Sequence, residues 1–241
     1  MSKGQTELHL HENRLLVLFN SVLPQFRTMV PNRGSALSFP CTYCLSRTLL
    51  EMLVLDTSLP GLKILQPKIH RDERGWFTEA FNAQTFAAAG LPATFAQDNQ
   101  SFSVRGVLRG LHYQLVKPQG KLVRCLSGHV WDVAVDLRRD SAGFGKWEGF
   151  HLRPLNDEGA MQMLWIPEGF AHGFLVLSET AELHYKTTEL YYPAGDRSIR
   201  WDDADLAIDW PLVELGAVEA SVSAKDAAAS SFRSAELETE E

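Results

Sequence analysis

Lys121-Leu122-Val123-Arg124-Cys125-Leu126-Ser127-Gly128-His129-Val130-Trp131-Asp132-Val133-Ala134-Val135-Asp136-Leu137 is the stretch that decides the fold class. Two apolar runs rich in β-branched residues flank a Ser127-Gly128 turn, which reads as a β-hairpin over 121–126 and 129–137. Side chains alternate along a strand, so Trp131, Val133, Val135 and Leu137 share one face. Val130, Asp132, Ala134 and Asp136 share the other, and that face carries two carboxylates.

The same texture extends outward. Residues 147–152, 161–166, 173–177 and 182–190 read as strands, parted by turns at Pro154-Leu155-Asn156-Asp157 and Pro167-Glu168-Gly169. Residues 85–89, closed by Gly90 and Pro92, read as a short helix. Many short strands with regular turns predict an all-β sandwich or barrel with a few short helices. From Glu214 the chain is rich in Ala, Ser and Glu, which predicts a short helix and a frayed tail. There is no internal repeat.

A chain of 241 residues allows one large or two small domains. Hydrophobic residues make up 45% and charged residues 22%, as a packed core requires. The formal charge of -7, with no long basic block, argues against a general nucleic-acid or membrane-surface binder. An anionic ligand needs a local basic pocket instead. Three cysteines do not make a disulfide framework, so a reducing, cytoplasmic setting is expected. No apolar run approaches the roughly 20 residues of a membrane span. Leu15 to Leu23 is the nearest candidate for a signal-peptide core, but it follows Glu7 and Glu12 and precedes Pro24 and Arg27 without a small-residue cleavage site. Residues 1–51 lack a sustained hydrophobic period. They are expected to be a poorly ordered extension or the product of a start assigned too far upstream, with the domain itself spanning 52–241. Cys41-Thr42-Tyr43-Cys44, a single Cys-x-x-Cys in that leader, reads as chance.

Two glycine-flanked histidines stand at the edges of strand-like runs. His112 lies in Val107-Leu108-Arg109-Gly110-Leu111-His112-Tyr113-Gln114, and His172 in Trp165-Ile166-Pro167-Glu168-Gly169-Phe170-Ala171-His172-Gly173-Phe174. Glycine permits close backbone approach to a ligand, and an arginine three residues before His112 offers a fork for phosphate. Each histidine is read equally well as a packed residue beside a turn. Lys121, Arg124 and Asp132 lie between them, and two histidines, a lysine and a carboxylate suffice to move protons. A metal set fits poorly. Position 114 is Gln where a His-x-His pair needs a second histidine, and the one such pair, His9-Leu10-His11, falls in the leader. Arg74, Arg109, Lys121 and Arg124 together are able to bind a diphosphate, although solvated surface is the ordinary place for each. Ser223-Ala224-Lys225-Asp226 reads as an N-cap opening a helix over 227–232.

Taken together these segments resemble the dTDP-4-dehydrorhamnose 3,5-epimerases of dTDP-L-rhamnose biosynthesis. The likeness rests on Asp72-Glu73-Arg74-Gly75, Gln97-Asp98-Asn99-Gln100-Ser101, Leu108 to Gln114, Gln119-Gly120-Lys121-Leu122-Val123-Arg124, Asp132 to Asp136 and Trp165 to Phe174, in that order. It runs from about Met52 to the region of Ala227. The resemblance implies a cupin-type jelly roll, a homodimer, a dTDP-4-keto-6-deoxy sugar as substrate and no metal or other cofactor. It implies His112 as base, Asp226 as the carboxylate that orients it, and Tyr185 as the opposing acid. It also implies a second pair of His172 with Asp132, and Lys121 as the donor to an oxyanion. Arg74, Glu79, Gln97, Asn99 and Arg109 match positions that hold the nucleotide and diphosphate, with Phe77, Ser101, Lys121, His172 and Lys225 among the substrate-binding set. The stretch from Leu212 to Ser223 is a few residues longer than the family's usual length, and residues 1–51 have no counterpart in it.

The chemistry suits these residue types. Carbons 3 and 5 of a 4-keto sugar both flank the ketone, so their protons are acidified by enolate formation. Imidazole titrates near neutrality, a carboxylate on its other nitrogen fixes its tautomer, and a fixed positive donor stabilises an enolate oxygen. A 3-epimerase or a ketoisomerase on a related sugar nucleotide would use the same groups. A non-catalytic sugar-nucleotide-binding cupin would be expected to lose the base or the acid, and this chain has both.

Overall fold

A computed structural model describes residues 51–237. The readings made for residues 1–50, the Cys-x-x-Cys and His9-Leu10-His11 among them, lie outside the described residues. Among the described residues no helix is long and apolar enough to cross a membrane.

Two sheets face each other. The first orders β1 (Met52–Asp56), β2 (Lys63–Pro67), β10 (Met163–Ile166), β7 (Lys121–Ser127), β12 (Thr180–Thr187) and β5 (Gln97–Val104). The second orders β13 (Asp196–Ser198), β6 (Val107–Gln114), β11 (Phe170–Val176), β8 (Val130–Asp136) and β9 (Trp147–Leu152). Pairing within both is antiparallel, except that β14 (Ser221–Val222) runs parallel to the start of β6. A separate hairpin joins β3 (Ile69–Asp72) to β4 (Gly75–Thr78). Two short helices, α1 (Ala83–Ala88) and α2 (Ala224–Ala227), complete the described residues with a few single 3-10 turns. The all-β jelly-roll expectation therefore holds.

The hairpin expected at Ser127-Gly128 does not. β7 pairs with β10 and β12, while β8 pairs with β11 and β9 in the opposite sheet. The turn thus carries the chain across the sandwich. Gly128 sits at φ +79°, and a Cβ there would lie 2.1 Å from the Thr180 carbonyl oxygen, so the corner is packed against the start of β12. The apolar pattern of both strands suits either partner. The choice falls to long-range pairing that local sequence does not encode.

The face alternation read in β8 is present, but both faces are covered. Val130 and Ala134 join Val123, Cys125, Leu164, Phe174, Val176 and Leu183 between the sheets. Val133, Val135 and Leu137 pack outward against Leu206, Trp210 and Leu215 of the C-terminal segment. On the outer face of the first sheet, Phe86 of α1 packs with Leu65, Leu122 and Met163. Burying each such side chain contributes roughly 1.5–3 kcal/mol. Lys121, Asp132 and His172, on strands that also carry this apolar cluster, are buried as well.

Several boundaries differ from expectation. Phe170–Val176 is all strand, so His172 lies inside a strand and not in a turn. The C-terminal helix is Ala224–Ala227, not 227–232, because Ser223 caps it by accepting the Asp226 amide and the chain then leaves to bridge Ile199 at Ser230. α1 starts at Ala83, since Asn82 accepts from the amides of Gln84 and Thr85.

Candidate active site

β6 and β11 approach unusually closely where the site forms. Gly110 has φ +110°, and a Cβ on it would lie 2.6 Å from Gly173 Cα and 2.7 Å from the His172 carbonyl oxygen. Only glycine fits both the angle and the gap. The register then sets His112 directly across from His172, with Ala134 on the far side of His172. One sheet thereby presents two imidazoles side by side.

A cavity of about 310 Å³ opens at this end, lined by Ser101, Arg109, His112, Gln119, Lys121, His172, Gly173, Phe174, Tyr185, Tyr191, Asp196 and Lys225. That volume is at the lower end for a small-molecule site. His112 comes from the second sheet and Tyr185 from β12 of the first, so the two face the cavity from opposite sheets.

His112 Nε2 lies 2.6 Å from Asp226 Oδ1. Asp226 is buried, and its other oxygen accepts from the Gly110 amide at 3.4 Å. Burial pushes the Asp226 carboxyl up, but the His112 hydrogen bond and charge, the Gly110 amide and Ser223 together hold it below the usual carboxylate range. It stays ionised and orients the imidazole. The motif that placed Ser223 as a cap thus serves the site as well.

The second pair is deeper. His172 Nε2 lies 2.9 and 3.0 Å from the two oxygens of Asp132, which is wholly buried. Lys121 is buried too, and its ammonium donates to the His112 carbonyl oxygen at 3.1 Å. Burial lowers its pKa to about 8, against the pull of Asp132 and Asp196 in the other direction. Burial raises the Tyr185 phenol, with Arg109 opposing, so it remains protonated at neutral pH. Arg109 is braced by Nε donating to Ser103 Oγ at 3.1 Å.

The structure brings together His112, Tyr185, Asp226, Lys121, His172, Asp132, Ser101, Arg109 and Lys225. It does not bring Arg74, Phe77 or Glu79 to this cavity. Arg74 is spent on Asp72 in the β3–β4 hairpin, and Phe77 on that hairpin is 68% exposed. Gln97 and Asn99 lie on β5 and are hydrogen-bonded to each other at 2.8 Å, outside the cavity lining. Arg124 lies on the outer face of the first sheet beside His184, so it is not part of a cluster with Arg109 and Lys121. Reading the residues one by one missed Gln119, Phe174, Tyr191 and Asp196 as lining residues. No local signal marks Asp196 or Gln119; Tyr191 and Phe174 differ from core aromatics only in where the chain puts them. Among the described residues, no group of three or more His, Cys, Asp or Glu is arranged to hold a metal ion.

A family model described as dTDP-4-dehydrorhamnose 3,5-epimerase matches residues 56–234. The chain is 54% identical over 162 residues to the dTDP-4-dehydrorhamnose 3,5-epimerase of Methanothermobacter thermautotrophicus, a match covering 67% of this chain and 85% of the relative. The crystal structure of a dTDP-6-deoxy-D-glucose-3,5-epimerase from Legionella pneumophila, in complex with dTDP-4-keto-L-rhamnose, superposes with a TM-score of 0.71 at 47% identity. That match covers 77% of this chain and 95% of the other. A 3'-monoepimerase from Streptomyces bikiniensis in complex with dTDP-quinovose superposes with a TM-score of 0.66 at 34% identity, over 73% of this chain and 86% of that one.

Proposed function

The chain belongs to the dTDP-4-dehydrorhamnose 3,5-epimerase family, and from that premise we propose that it is an isomerase acting on dTDP-4-dehydro-6-deoxy-D-glucose. It inverts C3 and C5 to give dTDP-4-dehydro-L-rhamnose. One observation carries the mechanism: a histidine held by a buried carboxylate on one sheet faces a protonated phenol on the other, with a buried lysine in the same cavity.

His112 removes the proton from a carbon beside the ketone. The C–H electron pair becomes the C=C bond, and the carbonyl pair moves to oxygen as an enolate. Lys121 donates to that oxygen, where a fixed positive charge in a water-poor site acts most strongly. Tyr185 then delivers its proton to the opposite face of the carbon, and the enolate electrons return to form the new C–H bond. His112 gives its proton to water and Tyr185 regains one, so the reaction is neutral in atoms and electrons. Asp226 stabilises the imidazolium in between. His172 with Asp132, and Arg109 with Ser101 and Lys225, hold the sugar and diphosphate. The ketone is itself the electron sink, so this chemistry asks for no redox cofactor.

Incubation with the substrate in deuterated water tests the assignment. The parent protein should introduce label at both C3 and C5. His112→Ala should end exchange and product formation while dTDP still binds. Tyr185→Phe removes the acid alone, so exchange should outrun formation of the L-configured product. An unchanged ratio of exchange to product in Tyr185→Phe would remove Tyr185 from this role. Single epimerisation is the second reading, favoured by the likeness to the Streptomyces 3'-monoepimerase; label at C3 without C5 would select it.

The placement of Arg74, Phe77 and Glu79 supports a homodimer. Their family positions call for contact with the nucleotide, yet Arg74 and Phe77 on the β3–β4 hairpin and Glu79 just after it do not line this cavity, and Trp76 and Phe77 of the hairpin are exposed. A second copy reconciles the two facts, its hairpin completing the neighbouring cavity.

A further inference from the structure

After β12 ends at Thr187, residues 189–192 belong to no strand, and Leu190, Tyr191 and Tyr192 are 58%, 54% and 40% exposed. Neither ladder nor burial explains why this segment holds a position. Three glutamine side chains from separate parts of the chain do. Gln119 Nε2 donates to the Glu189 carbonyl at 2.8 Å. Gln114 Nε2 donates to the Leu190 carbonyl at 3.2 Å, and its Oε1 accepts from the Tyr192 amide at 2.8 Å. Gln97 Oε1 accepts from the Tyr191 amide at 2.9 Å. Each of the four residues is held by one glutamine.

Gln114 is the centre of this cradle. It is buried and brackets Tyr191 on both sides, with a further bond from Nε2 to the Lys117 carbonyl at 2.5 Å. Two carbonyls and an amide need donors and an acceptor in one uncharged group, which an amide side chain supplies and a carboxylate or imidazole does not. Gln114 also stands two residues beyond His112 on the same face of β6. Between the bracketed positions, Tyr191 lines the cavity mouth, and its hydroxyl donates to Asp196 Oδ2 at 3.1 Å. Asp196 in turn takes the Lys225 ammonium, next in the chain to Asp226.

We propose that Gln114 is a positioning residue for the reaction: by holding the main chain at Leu190 and Tyr192 it fixes the Tyr191 ring against the bound sugar nucleotide. This rests on the epimerase reading above. It also accounts for glutamine at a position where a metal-binding site of this architecture would carry histidine.

A double-mutant cycle with amide hydrogen exchange tests it. Gln114→Met keeps the length and removes all three hydrogen bonds. Exchange at the Tyr192 amide, which loses its acceptor, should speed up in Gln114→Met while β6 and β11 stay protected. In the parent background the substitution should lower kcat/KM about tenfold or more, mainly through KM. In a Tyr191→Ala background the same substitution should change kcat/KM by less than about threefold, because residues that act through one another are non-additive. Equal losses in both backgrounds, or unchanged exchange at the Tyr192 amide, would overturn the proposal and leave Gln114 as plain scaffold. A parent protein inactive on the 4-keto sugar would instead sink the epimerase reading, and amide exchange would still decide whether the cradle exists.

Discussion

Lys121 is kept in a place that burial makes unfavourable for an ammonium, and this is the residue-level mark of a site that puts function ahead of stability. Its pKa of about 8 lies below the ordinary 10.5, so between those values the folded chain binds fewer protons than the unfolded one. Stability attributable to this group therefore rises with pH across that window, while the charge that serves the enolate is lost as pH rises through about 8. Two trends of opposite sign follow. The kcat/KM of the parent should fall above pH 8. The stability of the parent relative to Lys121→Met should improve from pH 8 to 10.5, by at most about 3 kcal/mol. Measuring the difference cancels the Cys125 thiol and Tyr113 phenol, both pushed up to about 12 by burial and acting in the opposite sense. Denaturant melts of both proteins at several pH values check this, and a stability gap independent of pH would show that Lys121 is not buried as an ammonium. His112, His172, Lys121 and Asp132 were visible as candidate residues in the chain, because glycine-flanked histidines at strand edges are conspicuous. Residue type and spacing alone do not pair them, since His112 and Asp226 are 114 positions apart; the family resemblance implies Asp226 behind His112 and Asp132 beside His172, and both pairs stand at hydrogen-bonding distance.

Among the elements, α2 shows how little local structure can suffice. Four residues cannot sustain a helix unaided. The Ser223 cap, the pairing of β14 with β6, and the hydrogen bonds of Asp226 to His112 and Gly110 hold it. Ser223→Ala should lower stability by about 1 kcal/mol and slow proton exchange at C3 and C5 more than it weakens dTDP binding, because the displaced group is the carboxylate behind the base. Calorimetry, exchange rates and a dTDP titration compared on one preparation check it; exchange at the parent rate would separate the cap from the chemistry. The reading of Ser223 as a cap was correct from type and spacing, yet the helix it opens was placed three residues too late. Ala, Ser and Lys favour several short helices equally, and only the docking against β6 selects one. The Ser127-Gly128 turn is the same lesson in the sheets. Its residues announce a reversal, and the partner strands decide whether the reversal stays in one sheet.

At the scale of the whole molecule, the placement of the β3–β4 hairpin leads to a prediction about subunits. If Arg74 serves the cavity of a second copy, Arg74→Ala and His112→Ala chains should each be impaired alone and recover activity when mixed and allowed to exchange, because one site of the mixed dimer is intact. No recovery, with mixed dimers shown by mass spectrometry, would place Arg74 in its own chain's site or outside function. The sequence by itself determined the strand content, the turn positions, the glycine-flanked histidines and the ordered motifs that mark the family, because alternation and residue type are local properties. Only the tertiary structure decided that β7 and β8 lie in opposite sheets, that Arg124 faces outward, and that Gln97, Gln114 and Gln119 gather around one exposed segment. Those outcomes depend on which distant strands pair and in what register. Many pairings bury the same apolar residues, and the one adopted is selected by packing summed over the whole chain.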